Sequence, residues 1–279
     1  MVKKVGFIDY YLDEWHANHY PEWLKEYSDG RYVVAYAYGE IDSPLGGISN
    51  EEWAKKNGVT LCKTIDEVVE KSDVLIVLSP DNPEQHEHLC EKPLMSGKLT
   101  YVDKTFAPDA DTARRIFKIA EKSGTKLFST SALRYATEIQ EMKKGEAIYV
   151  SSIGPGVEEN YFIHQFEPIV YLMGPDVKRI MYTGSINSMS STLEYSDDRR
   201  AYMNMPRTWG APQMLAVKYS DSFVMQKLES DSFKNFMHAM VKFFDDGEVP
   251  VDPQETITLM AIIGAASEAM KKPDEWVNL

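Results

Sequence analysis

Asp73-Val74-Leu75-Ile76-Val77-Leu78-Ser79-Pro80 is the stretch on which the fold turns. Its apolar residues run without interruption, so a strand here has no polar face and is buried on both sides. That is the habit of a parallel sheet covered by helices. Toward the N-terminus, Val5-Gly6-Phe7-Ile8 and Tyr32-Val33-Val34-Ala35-Tyr36-Ala37 read as two further strands. Toward the C-terminus, Tyr101-Val102 and Lys126-Leu127-Phe128 read as two more. Residues 65–71, 85–95 and 109–122 carry helical spacing between them, which makes a series of βαβ units. Asp109 and Asp111 place acids where they oppose a helix dipole, and Gly124 stands where that helix should stop.

Beyond residue 131 the pattern changes. Strand-like alternation marks 148–152, 178–182, 214–219 and 222–225, with helices expected over 164–173 and 253–271. Strands largely in sequence with helices to one side predict an α+β unit on a mostly antiparallel sheet with one open face. Residues 185–212, rich in Ser, Met, Arg and Asn, lack periodicity and are expected to form a long loop. Two domains, 1–131 and 132–279, suit a chain of 279 residues.

Charge narrows the function. Thirty Lys and Arg against 43 Asp and Glu leave a net charge of −13, with no basic run longer than a pair such as Lys3-Lys4. Such a surface repels nucleic acid backbones and anionic membranes, so neither is an expected partner. No apolar run is long enough to span a bilayer. Cys62 and Cys90 cannot make a disulfide framework, and the opening residues lack the apolar stretch and cleavage site of a signal peptide. A cytoplasmic location is expected.

The order of landmarks resembles the Gfo/Idh/MocA (glucose–fructose oxidoreductase/inositol dehydrogenase) family. Val5-Gly6-Phe7-Ile8 is followed by His16, and the quoted strand by Ser79-Pro80 and His86, similar to the family's Thr-Pro-x-x-x-His segment. Ser96-Gly97-Lys98-Leu99-Thr100-Tyr101-Val102-Asp103-Lys104-Thr105 resembles its Gly-Lys-x-Val-x-x-Glu-Lys-Pro. Ile163-His164-Gln165-Phe166-Glu167 with Tyr171-Leu172-Met173-Gly174 resembles its His-x-x-Asp…Leu-x-Gly helix, and residues 243–269 its closing helix. Glu91-Lys92-Pro93 spells the family tripeptide but falls within a helix, and reads as helical surface.

The resemblance implies a Rossmann-like N-terminal domain for NAD or NADP and a C-terminal domain for a sugar, cyclitol or related polyol. Lys104, His164 and Asn160 take the catalytic places, Ser79, Pro80, His86 and Glu40 the cofactor side, and a homodimer or homotetramer forms through the open sheet face. No metal is implied.

Several residues depart from this pattern. The three glycines of the dinucleotide turn fall on Asp9, Tyr11 and Glu14, each bearing a side chain where the backbone should approach pyrophosphate. Asp13 adds an acid at the expected helix start, where a carboxylate would cap the free N–H groups itself. Bland capping and surface cover would explain these acids too, but would leave no room for the usual pose. Tyr38 replaces the ribose-binding acid, with Glu40 and Asp42 just beyond; both also suit a solvated loop. Asp103 and Thr105 replace Glu and Pro around Lys104, which removes the reason to expect a cis bond and admits a plain Asp103–Lys104 salt bridge. Asn160 stands four residues before His164 where an Asp is usual, and an amide cannot accept a proton. An imidazole, with its ordinary pKa of about 6.5, can serve as the base alone, although a histidine at a helix start is often only structural.

Other constellations carry less. His86, Glu87, His88 and Cys90 lack a clear further ligand for a metal. Trp15, Tyr20, Trp23 and Tyr27 read as core or interface before a ring stack, and Arg199, Arg200 and Arg207 as solvated loop before a grip on an acid. No Ser or Cys sits in a nucleophile elbow. Three functions therefore compete: a sugar dehydrogenase with an altered nucleotide pose, a cofactor-free lyase or isomerase acting on a keto-sugar, and a binding or partner subunit without chemistry.

Overall fold

The computed structural model describes residues 2–279. Its first half builds β1 (Lys3–Asp9), α1 (Trp15–Tyr27), β2 (Tyr32–Gly39), α2 (Asn50–Asn57), β3 (Thr60–Leu61), α3 (Ile65–Lys71), β4 (Val74–Val77), α4 (His86–Met95), β5 (Thr100–Val102), α5 (Ala110–Ser123) and β6 (Leu127–Phe128). All four side chains of β4 are buried, as the unbroken apolar run requires. The strands form one parallel sheet in the order β3-β2-β1-β4-β5-β6. Strand order reverses between β1 and β4, the place where open α/β sheets receive ligands beyond their carboxyl ends. Gly6 makes the packing under that point possible. A Cβ there would lie 2.4 Å from Ser72 Oγ and 2.5 Å from Val68 Cγ1, so only glycine lets α3 close on β1.

The second half builds α6 (Thr137–Gln140), β7 (Tyr149–Ile153), α7 (Phe162–Met173), β8 (Val177–Tyr182), β9 (Met189–Tyr195), β10 (Arg200–Met205), β11 (Met214–Lys218), β12 (Phe223–Lys227), α8 (Ser232–Asp246), α9 (Pro253–Met270) and β13 (Trp276–Asn278). Its sheet runs β12-β11-β7-β10-β9-β8-β13, antiparallel except between β7 and β10. α7 lies on β7 and α9 on β8. The chain therefore has an α/β unit with a Rossmann-like sheet and an α+β unit with a largely antiparallel sheet. The outer face of β12, β11 and β7 carries Phe223, Met225 and Ile153 in solvent.

Residues 185–212 are not one loop. They hold β9 and β10, paired antiparallel from Met189↔Met205 to Glu194↔Arg200. β9 buries Met189, Ser191, Thr192, Leu193, Glu194 and Tyr195, so it has no apolar/polar alternation to read, and its polar interior residues hide the strand. Arg200 pairs with Glu194 (2.9 Å) and Arg199 with Asp197 (2.7 Å), as residues of a hairpin. The region expected to close in one helix holds two, α8 and α9, parted by Gly247 at φ +69°.

The residues gather into two compact units: 1–107, 111–129 and 236–252 in the first, and 108–110, 130–235 and 253–279 in the second. A single cut after residue 131 thus misplaces 236–252. In α8, Phe236 packs on Tyr20 and Tyr101, Phe243 on Phe128, and Phe244 on Tyr32, all of them aromatic residues of the first unit.

Candidate active site

In the first unit, β1, β4 and β5 end side by side, so the residues that follow them share one edge of the sheet. Asp9 ends β1, and Glu14 is the N-cap of α1. The Glu14 carboxylate accepts the backbone N–H of His16 (2.7 Å) and of Ala17, two of the donors that a helix start leaves free. The cap is therefore Glu14 and not Asp13, which was expected to fill the helix start. The backbone reaches its extended cap geometry (φ −132°) only at Glu14. Asp13 instead accepts Ile48 N–H (2.9 Å) and the Asn18 amide (2.9 Å).

Asp103, directly after β5, is fully buried and heavily coordinated. Its Oδ1 accepts Tyr101 Oη–H (2.9 Å) and Lys104 N–H (2.8 Å), and its Oδ2 meets His16 Nδ1. The His16 ring stacks on Tyr20, 5.0 Å between centroids and 14° from parallel. Burial pushes the Asp103 carboxyl up, but His16, by charge and hydrogen bond, together with Lys104 and Tyr101 pulls harder and leaves it below its usual range.

Asp9 and Glu14 have no such help. Burial and then the Glu14 charge raise Asp9 well above an ordinary carboxyl, against the N–H groups of Tyr10 and Tyr11. Its Oδ2 is buried and makes no hydrogen bond among the described residues. Burial also raises Glu14, to about 7, although His16 and the capped N–H groups pull it down. Tyr11, the middle of the three glycine positions, is pushed up to about 12, chiefly by burial and by Asp81.

Lys104 is half-buried, and its Nζ makes no ion pair among the described residues. The salt bridge considered for it with Asp103 does not form, because both oxygens of that carboxylate are taken. The Lys104–Thr105 peptide bond is cis, contrary to the expectation drawn from the missing proline.

Ser79 adopts φ +100°, is buried, and donates its hydroxyl to Asn82 O (3.1 Å), while Pro80 is buried beside it. His86 is fully buried, with Nε2 2.7 Å from Leu78 O and Nδ1 3.0 Å from Phe106 O. Burial lowers its pKa, against Asp103 and those carbonyl groups. His86 thus lies between the end of β4 and the segment after β5, and its neutral ring, with a single N–H, donates to one of the two carbonyls. Glu40 is exposed and 3.0 Å from His88 Nε2, while Asp42 accepts Asn50 N–H (2.7 Å). Glu91-Lys92-Pro93 lies inside α4, where Lys92 pairs with Asp66 (3.2 Å). The described residues contain no group of three or more His, Cys, Asp or Glu that could hold a metal ion.

The second unit carries His164 in the first turn of α7 and Asn160 in the short 3-10 turn before it. His164 Nδ1 is 2.7 Å from Ser131 Oγ. Ser131 also caps the turn at 132–135, accepting Leu133 N–H (3.2 Å), and gives its own N–H to Glu167 (2.7 Å). Glu167 and Glu255 are buried around Arg134 (3.5 and 2.6 Å), and Lys144 reaches Glu255 (2.6 Å).

His16 stood in the sequence only as a landmark, and Ser131 had no motif at all. Each acquires its role through a partner far along the chain, Asp103 for one and His164 for the other. The acids at Asp9 and Glu14 were the legible signal.

A model of an oxidoreductase family with an NAD-binding Rossmann fold, GFO_IDH_MocA, matches residues 46–131. Solved structures match over nearly the whole chain. A myo-inositol dehydrogenase from Lactobacillus casei, in complex with NAD(H) and myo-inositol, is 16% identical with a TM-score of 0.79, covering 100% of this chain and 97% of its own. A probable dehydrogenase from Thermotoga maritima is 16% identical with a TM-score of 0.78, covering 99% and 98%. A scyllo-inositol dehydrogenase from Lactobacillus casei is 13% identical with a TM-score of 0.76, again covering 99% and 98%. No curated protein matches the sequence at significance.

Proposed function

We propose, for a chain with the Gfo/Idh/MocA oxidoreductase fold, that it handles a sugar, cyclitol or related polyol by proton transfer, without a nicotinamide dinucleotide in the usual Rossmann pose. The observation that carries this reading is Glu14. A pyrophosphate in that pose rests on the N–H groups of the first helical turn, and here Glu14 already accepts two of them. Asp9 and Tyr11 fill the other two glycine places. NAD and NADP do not fit these residues in that pose.

Lys104 supplies the chemistry. Lys104 is the group that takes the proton from the carbon beside a keto-sugar carbonyl and returns it to the carbonyl carbon, while the hydroxyl on the first carbon gives its proton to the carbonyl oxygen through an enediol. Bonds are exchanged and nothing is oxidised or reduced overall. The inositol dehydrogenases that share the fold support the ligand class. In the second unit His164 is the candidate hydroxyl-binding or proton-accepting group, and Asn160 a candidate hydroxyl-binding one.

The test is solvent deuterium entering a keto-sugar such as fructose with no cofactor present. Exchange in the wild type, reduced about 100-fold or more in Lys104→Ala, is the expected result. Exchange unaffected by that change overturns the role of Lys104, and absence of exchange leaves a binding subunit on the same fold. A second reading, a dehydrogenase that holds its nucleotide differently, is favoured by the family match over 46–131. Calorimetric titration with NAD⁺, NADH, NADP⁺ and NADPH decides between them: silence supports proton transfer alone, and micromolar binding supports the dehydrogenase.

The exposed Phe223 and Met225 support a homodimer or homotetramer through the open sheet face. Two buried, unpaired cysteines suit a reducing, cytoplasmic setting. No helix of the described residues is long and apolar enough to cross a membrane.

A further inference from the structure

Trp209 lies in the segment between β10 and β11 and is 55% exposed. Its segment is nonetheless pinned. Gly156 N–H donates to Thr208 O (3.2 Å), Gly210 N–H to Thr208 Oγ1 (3.2 Å), and Arg207 Nη1 reaches Val157 O (3.4 Å). The indole meets the Tyr161 ring edge-on, 4.7 Å between centroids at 72°. Tyr161 in turn contacts His164 at 5.2 Å, and His164 Nδ1 rests on Ser131 Oγ. Gly156 permits this closure: at φ +144° a Cβ would fall 3.0 Å from Tyr161 Cβ and 2.4 Å from Met205 Cε.

We infer that Trp209 is a stacking platform for the apolar face of a cyclic polyol, whose rim hydroxyls bond to Tyr161 and His164. The row of indole, phenol and imidazole is apolar at one end and hydrogen-bonding at the other. A pyranose or cyclohexane polyol has the same two-sided character, with axial C–H groups on its face and hydroxyls at its edge. An aromatic ring held in place by a second ring has little freedom left to lose on binding, which favours affinity. This inference rests on the polyol reading given above and names the side chain that would select rings over open chains.

The full-length protein is titrated calorimetrically with myo-inositol, with methyl β-D-glucopyranoside, and with acyclic D-glucitol. Tryptophan fluorescence is followed in the wild type and in Trp209→Phe. The cyclic probes are expected to bind about tenfold more tightly than glucitol and to quench a signal that Trp209→Phe lacks. Trp209→Ala is expected to lose about tenfold in affinity for the rings, while Trp209→Phe retains most of it. A circular dichroism melt confirms that both variants fold. Ring binding unchanged in Trp209→Ala overturns the platform and leaves the ligand class standing. No binding of any cyclic probe overturns both. Tighter binding of adenosine than of either ring assigns the indole to a nucleobase and overturns the proposal.

Discussion

Each unit buries a knot of charged side chains, and the two knots are built on opposite rules. In the second unit Glu167 and Glu255 face Arg134, with Lys144 at Glu255, so two acids meet two bases. In the first, Asp9, Glu14 and Asp103 are buried with one histidine, His16, bonded to Asp103. Charges in balance brace a fold. Carboxyl groups in excess cannot all ionise, so some keep their protons, and the rise of Asp9 and Glu14 follows from burial and mutual repulsion. Groups driven to hold protons near neutrality are characteristic of sites that move them. The second knot is therefore balanced, while the first holds more acids than bases.

The largest effect that could break this contrast is in the balanced knot. Arg134→Met would leave Glu167 and Glu255 buried without their shared cation, and should cost about 3–5 kcal/mol in urea denaturation. A loss under about 1 kcal/mol would show that the balance is not needed.

Next in size is Glu14→Gln. Glu14 titrates at about 7 in the folded protein and at 4.5 in its ordinary state. Between those values the native state holds more protons than the unfolded chain. Its contribution is therefore full below 4.5, lost as pH rises through about 7, and flat above. Glutamine removes that fall and should make the variant more stable than the wild type above neutrality by up to about 3 kcal/mol. Denaturation curves from pH 4 to 8 measure it, and parallel profiles for the two proteins would refute the raised pKa of Glu14.

The smallest effect expected is that of Ser131→Ala, which removes the cap on Leu133 N–H and the hydroxyl against His164. About 1 kcal/mol should be lost on thermal unfolding. The pH dependence of any exchange activity is expected to shift, because Ser131 Oγ rests on His164 Nδ1; an unchanged profile would remove His164 from the chemistry.

How much of this was legible in the sequence depended on range. β4 could be read because its five-residue apolar run carries its own burial. α2 could not be read by periodicity, since it buries only Asn50, Trp53 and Ala54. Its capping box, Ser49 with Glu52, was the available signal. Filling of the dinucleotide turn was visible in Asp9, Tyr11 and Glu14, but choosing Glu14 over Asp13 needed the backbone angle at which α1 begins. The pairing of His16 with Asp103 spans 87 residues, and no local pattern announces it. His86 could be placed by its motif, yet its two carbonyl partners appear only in three dimensions.

The return of residues 236–252 to the first unit bears on heredity. Arg31 grips Asp245 through two oxygens (2.6 and 2.7 Å), and the aromatics of α8 close over rings contributed by β2, β5, β6 and α1. A gene recombined at the codon for residue 131 would part those rings from their cover and leave both products incomplete. No single crossover can trade one unit for a foreign counterpart. A graft of the first unit would have to bring residues 236–252 with it as a second, separate piece of the gene.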